Sequence, residues 1–110
     1  MSWVDAERYC AENYQARLVS VETAAEYEVI RAQMNADQQG QEWWSGGNDL
    51  FRRNDLIWAG TGRAVNSTAS GILLTGADGN GRCVQLRPQQ RDMNAVSCEL
   101  QLNFICETGF

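Results

Sequence analysis

The chain has no histidine and a single proline, Pro88, among its 110 residues. Without histidine it lacks both the commonest general base and a standard zinc ligand. No paired carboxylates share an element, and four paired cysteines would leave no activated thiol, so the sequence does not read as an enzyme. Basic residues are also scarce: nine Lys+Arg stand against fourteen Asp+Glu, a net charge of −5. That balance offers no basic footprint and argues against a nucleic-acid partner. Nowhere do about 18 apolar residues run together, so no segment is suited to crossing a membrane as a helix. A leader of charged, apolar and small residues is missing too. The chain opens directly on a helix-like pattern, which suggests that Met1 is internal to a longer chain or an expression start. The length is that of one domain, 1–110, large enough for a core and small enough for cross-links to matter.

What the chain does have is cysteine at 10, 83, 98 and 106, three of the four within the last 28 residues. Four cysteines permit three pairings. The spacings fit no CxxC pair and there is no histidine to complete a zinc site, so a disulfide framework is the better reading. It implies an oxidising, extracellular compartment. Asn66-Ser67-Thr68 would then be an N-glycosylation acceptor.

Taken in order, Ser2 to Tyr14 reads as a helix with Ser2 as N-cap. Trp3, Ala6, Cys10 and Tyr14 fall on one face, and Asp5, Glu7, Arg8 and Glu12 largely on the other. Leu18 to Val21 is a short β-branched run. Thr23-Ala24-Ala25-Glu26 is a capping box opening a second helix, with Tyr27, Ile30 and Met34 as its apolar stripe and Gly40 as its stop. Met34 reads as core filler. Trp43-Trp44 before Gly46-Gly47 suggests a strand whose backbone is closely approached. The paired tryptophans could line a sugar site, but their β-type neighbours favour the core. Leu56-Ile57-Trp58 is another short strand. Residues 59–82 hold six glycines and one apolar cluster, Ile72-Leu73-Leu74, and read as a long loop of the kind that carries function. The triplet either tucks in as a small loop core or stands out as an anchor for a partner.

Near the end, Val84 and Leu86 alternate with Cys83, Gln85 and Arg87, the pattern of a half-buried strand. Pro88, the glutamines and Asn94 read as loop. Phe104-Ile105-Cys106 is an apolar run expected to pair beside the Cys83 strand, giving a hairpin tied to the start of the chain.

The order Trp3…Ala6…Cys10, Leu18…Val21, Trp44-Ser45-Gly46-Gly47, Trp58-Ala59-Gly60, Cys83-Val84, Cys98, Phe104-Ile105-Cys106-Glu107 resembles the C-type lectin-like domain over nearly the whole chain. Trp44 to Leu50, with Trp58 and Thr61-Gly62, is most similar to invertebrate, arthropod-like members. The resemblance implies an α+β fold: two helices packed on two small antiparallel sheets, a long ligand-bearing loop, and disulfides Cys10–Cys106 and Cys83–Cys98. On a chain-entropy estimate, such cross-links stabilise by roughly 4–5 and about 3 kcal/mol respectively. The family's usual first strand, which pairs with the last, is expected to lie upstream of residue 1; otherwise the last strand has an open edge or another partner.

In sugar-binding members a calcium ion in the long loop holds the sugar hydroxyls. Here the loop has no proline and so no Glu-Pro-Asn variant. Gly81, two residues before Cys83, stands where those members have a Glu, and the Trp-Asn-Asp triplet reads Met93-Asn94-Ala95. Calcium takes six to eight oxygens, several from carboxylates. From Ala59 to Ser97 the only acids are Asp78 and Asp92. Asp78 and Asn80 could hold a cation weakly, but Asp-Gly and Asn-Gly are first of all turn dipeptides. The expectation is therefore no cofactor, with calcium the alternative. The candidate ligand contacts are Asp78, Asn80, Arg82, Arg91, Asp92 and Asn94. The leading functional expectation is a secreted recognition module that binds a protein or glycan without calcium. The alternatives are a calcium-dependent lectin with atypical ligands, and a structural domain of a larger extracellular assembly, as a dimer or more.

Overall fold

The computed structural model describes residues 1–38, 41–53, 55–65, 71–76 and 82–108, with 35–38 by backbone alone. Gly40, Asn66, Asp78, Asn80 and Gly81 lie outside the described residues.

Among the described residues, two helices and eight short strands follow in the order α1 (Trp3–Tyr14), β1 (Arg17–Leu18), α2 (Ala24–Gln38), β2 (Trp43–Asn48), β3 (Ile57–Trp58), β4 (Leu74–Thr75), β5 (Cys83–Arg87), β6 (Asp92–Val96), β7 (Asn103–Phe104) and β8 (Cys106–Glu107). Both helix starts follow from local chemistry. The Ser2 hydroxyl accepts from the Asp5 N–H at 3.4 Å. The Thr23 hydroxyl accepts from the Glu26 N–H at 3.1 Å and meets Glu26 Oε1 at the same distance, so the capping box closes hydroxyl to carboxylate. The first helix ends on Gln15 in the left-handed conformation, φ 51°.

The α+β architecture is the one expected, with a difference in the sheets. β1 and β8 form a two-stranded antiparallel sheet. The other strands form a mixed sheet in the order β3-β2-β5-β6-β4, with β7 also beside β2. Two of its pairings, β2 with β7 and β4 with β6, are parallel. Those partners are two residues long, so the body of the protein aligns them rather than any intrinsic strand preference.

The hairpin also differs. The partner of β5 is β6, in register from Cys83↔Val96 to Arg87↔Asp92. The loop is therefore only residues 88–91. The Phe104 run instead divides: β7 lies parallel to Trp43–Trp44 and β8 against Arg17–Leu18. The end of the chain is thus tied to its beginning, with β1 as the last strand's partner.

The expected core residues are largely those buried. Val19, Val21, Tyr27, Met34, Trp43, Trp58, Val84, Leu86 and Met93 join in one cluster under α2. Trp3, Ala6, Cys10, Leu18, Trp44 and Cys83 form a second under α1. Tyr14 departs from its face: it is 58% exposed and packs on Tyr9, whose ring meets Phe104 edge-on at 5.4 Å. The tryptophans belong to the core: Trp3 Nε1 donates to the Ser45 carbonyl at 2.8 Å and Trp44 Nε1 to the Met1 carbonyl at 2.9 Å, while the buried Trp43 Nε1 has no partner among the described residues.

Two glycines explain how close these layers lie. A Cβ on Gly46 would come within 2.8 Å of the Leu18 carbonyl oxygen, and one on Gly47 within 2.7 Å of the Val84 side chain. The close backbone approach expected of the Trp-Trp-Ser-Gly-Gly strand is thus present on both of its sides. Disulfides Cys10–Cys106 and Cys83–Cys98 close the frame across sequence separations of 96 and 15.

Candidate functional site

Asn94, the residue that the resemblance makes a ligand contact, stands on β6 between β5 and β4. Asn94 lies opposite Gln85 on one side and Thr75 on the other. Its amide nitrogen donates to Gln85 Oε1 at 3.0 Å, and its amide oxygen meets the Thr75 hydroxyl at 2.8 Å. Gln85 is buried, and its own amide nitrogen donates to Glu42 Oε1 at 3.4 Å. The result is a polar ladder across the sheet, Glu42–Gln85–Asn94–Thr75. Gly76 crowds its end: it adopts φ +77°, and a Cβ there would stand 2.6 Å from the Ala95 carbonyl and 3.0 Å from Asn94 Oδ1. Only glycine takes that backbone at little cost. Glu42 also lines a depression of about 270 Å³ with Met1, Gln41, Gln101, Leu102 and Asn103.

Asp92 begins β6 and faces its register partner Arg87. Arg87 donates through Nε at 2.8 Å and through its terminal nitrogen at 2.6 Å, a bidentate pair with Asp92 8% exposed. The hydrogen bond to Asp92 raises the Arg87 pKa further. The Asp92 carbonyl accepts the Tyr27 hydroxyl at 2.7 Å. Burial, reinforced by the Asp92 charge, pushes the Tyr27 hydroxyl well above the usual phenol range. Arg31 Nε donates to the Pro88 carbonyl at 2.8 Å, so α2 grips the hairpin turn at two points. Arg91 closes that turn with φ 55° and is exposed.

Arg82 lies at the opposite end of β5. Its Nε donates to Asp49 Oδ1 at 2.7 Å and a terminal nitrogen to the Asp49 carbonyl at 3.2 Å, while backbone bonds join Asp49 N–H to the Arg82 carbonyl and Arg82 N–H to the Val96 carbonyl. A five-residue strand, about 17 Å long, separates it from Arg87. The four expected ligand residues that are described do not converge: Arg82 fixes the loop after β2, Asp92 pairs within the sheet, Arg91 projects from the turn, and Asn94 sits mid-ladder. Of the Ile72-Leu73-Leu74 triplet, Ile72 joins the core, Leu74 packs partly against it, and Leu73 is 63% exposed.

Thr75, Gln85 and Glu42 belong to this ladder, and sequence reasoning missed them. The alternation of Gln85 with Val84 and Leu86 hinted at a polar strand position, but its partner emerges only from the register of β5 against β6.

As a donor set for calcium, the described residues do not fit. Both ends of the Asn94 amide are hydrogen-bonded, and both Asp92 oxygens face Arg87. A calcium ion would have to break a bidentate ion pair and supply most of its oxygens from elsewhere.

The helix pair, the frame of two disulfides and the sheet bearing this ladder define a C-type lectin-like domain. The family model described as Lectin C-type domain matches residues 1–108, and the chain belongs to that family. Among curated proteins it is 29% identical to salivary C-type lectin 1 of Aedes albopictus over 117 residues, covering 96% of this chain and 75% of that protein. Among solved structures, human lithostathine superposes with a TM-score of 0.76 at 25% identity, covering 96% of this chain and 82% of that one. A C-type lectin of the tunicate Polyandrocarpa misakiensis gives 0.78 at 21% identity over 100% of this chain and 91% of that one, a likeness of fold. The insect relatives agree with a domain of the invertebrate type. Among the described residues no helix is long and apolar enough to cross a membrane.

Proposed function

We propose that this chain is an extracellular recognition module that binds a protein or glycan partner without calcium. The observation that carries the reading is the engagement of Asn94 by Thr75 and Gln85 together. The side chain that the resemblance makes a sugar and calcium ligand is here a rung of the sheet. The Arg87–Asp92 pair supports it by holding the Asp92 carboxylate. The paired cysteines and the salivary relative support an oxidising, secreted setting. Recognition then falls to exposed side chains around the hairpin, Arg91 and Leu73 among them, rather than to a bound ion. Fold likeness alone does not supply the ligand. The test is a glycan and protein-partner binding screen run in parallel in calcium and in EDTA. The reading expects the same partners with the same affinity in both; partners that appear only with calcium would contradict it and favour a calcium-dependent lectin with displaced ligands.

A further inference from the structure

The two most exposed large apolar side chains of the described residues stand on patches of opposite charge. Val29, 74% exposed, lies on the outer face of α2 beside Glu26 and Glu28. Phe51, 72% exposed, follows β2 beside Arg52 and Arg53. Each patch is apolar at its centre and carries two charges at its edge. The existing ion pairs on either side are loose: Glu28 with Arg31 and Arg52 with Asp55, each at 3.7 Å and each with a mostly exposed partner. Such pairs contribute little and exchange readily.

The Phe51 patch is held firmly at its root. Asn48, fully buried, accepts the Leu50 N–H at 3.0 Å and donates to the Gly46 carbonyl at the same distance. Asp49 is clamped by Arg82, and Asp55 N–H returns to the Arg52 carbonyl at 3.0 Å. A held loop that presents an aromatic ring to water has already lost the conformational entropy that docking would otherwise cost.

We propose that the Phe51–Arg52–Arg53 loop of one copy docks on the Glu26–Glu28–Val29 face of α2 of a second copy. Charge complementarity selects this occupant: a chain of net charge −5 repels its like, yet concentrates positive charge where its most exposed ring stands and negative charge where its most exposed aliphatic side chain stands. The contact joins two different patches, so it is made either twice about a two-fold axis or once and repeated head-to-tail. The patches are small beside a stable interface, so the association is weak and salt-sensitive.

Sedimentation velocity from about 10 μM to about 1 mM tests it, at low salt and at about 1 M salt. The weight-average mass is expected to rise with concentration at low salt and to return to the monomer value at high salt. R52E/R53E and E26R/E28R, each folded by circular dichroism, are expected to be monomeric alone and to associate again when mixed, because each then presents the charge the other lacks. A wild-type chain that stays monomeric at about 1 mM in low salt overturns the proposal. So does association that survives either charge reversal, or reversed variants that fail to recover it on mixing. Binding of the wild-type chain to anionic phospholipid vesicles, lost in R52E/R53E without any self-association, would reassign the loop to membranes and equally overturn the proposal.

Discussion

The Asn94 amide nitrogen donates to Gln85 Oε1 at 3.0 Å, directly across the β5–β6 ladder. With Thr75 on its other side, Asn94 links three strands of one sheet. Asn94→Ala would leave the buried Gln85 oxygen without its donor, a loss of about 1–3 kcal/mol. Urea denaturation checks it, and a double-mutant cycle with Gln85→Ala is expected to return a coupling of about 0.5 kcal/mol or more. Unchanged stability would mean that the ladder holds nothing.

Asp92 and Arg87 form a bidentate, largely buried ion pair, with side chains 8% and 25% exposed. Asp92→Ala strands a half-buried guanidinium and is expected to cost about 2–3 kcal/mol. Asp55→Ala, which removes an exposed partner of Arg52, is expected to stay within about 0.5 kcal/mol. Chemical denaturation of the two variants side by side distinguishes a structural pair from an ornamental one.

Tyr27 makes stability depend on alkaline pH. The fold raises its pKa, so the neutral phenol is the form the native state favours. Its contribution is complete below the ordinary phenol value of about 10 and falls as pH rises beyond it. Thermal melts from pH 7 to pH 11 are expected to decline above about pH 10. In Tyr27→Phe that decline becomes shallower, at a constant cost of about 1 kcal/mol from the lost bond to the Asp92 carbonyl.

The two cross-links differ in reach. Replacing Cys10 and Cys106 by serine frees a separation of 96 residues and is expected to cost about 4–5 kcal/mol; replacing Cys83 and Cys98 frees 15 and costs about 3. Urea midpoints of the paired variants give the order.

Much of the frame was legible because it is local. Ser2 and Thr23 announce the helices they cap, and Trp43-Trp44-Ser45-Gly46-Gly47 announces a strand crowded by its neighbours. The four-cysteine order carried the family. The second strand of the hairpin was not legible, since Asp92 and Asn94 read as loop residues once Pro88 had suggested a turn. In the fold their side chains find partners across the sheet, which is what makes them strand residues. The same reason hides the ladder: Thr75 meets Asn94 through a parallel pairing of two short segments, and no local pattern encodes that. Asp92 and Arg82 looked available for a ligand because their charges were visible and their partners, Arg87 and Asp49, were not.

Calcium titration addresses the central claim most directly. Isothermal titration to millimolar calcium, with melting curves in calcium and in EDTA, is expected to give no binding heat and the same melting temperature in both. Saturable uptake of calcium, with a large fall in melting temperature on chelation, would contradict an account in which Asn94 is held by Thr75 and Gln85 rather than by an ion.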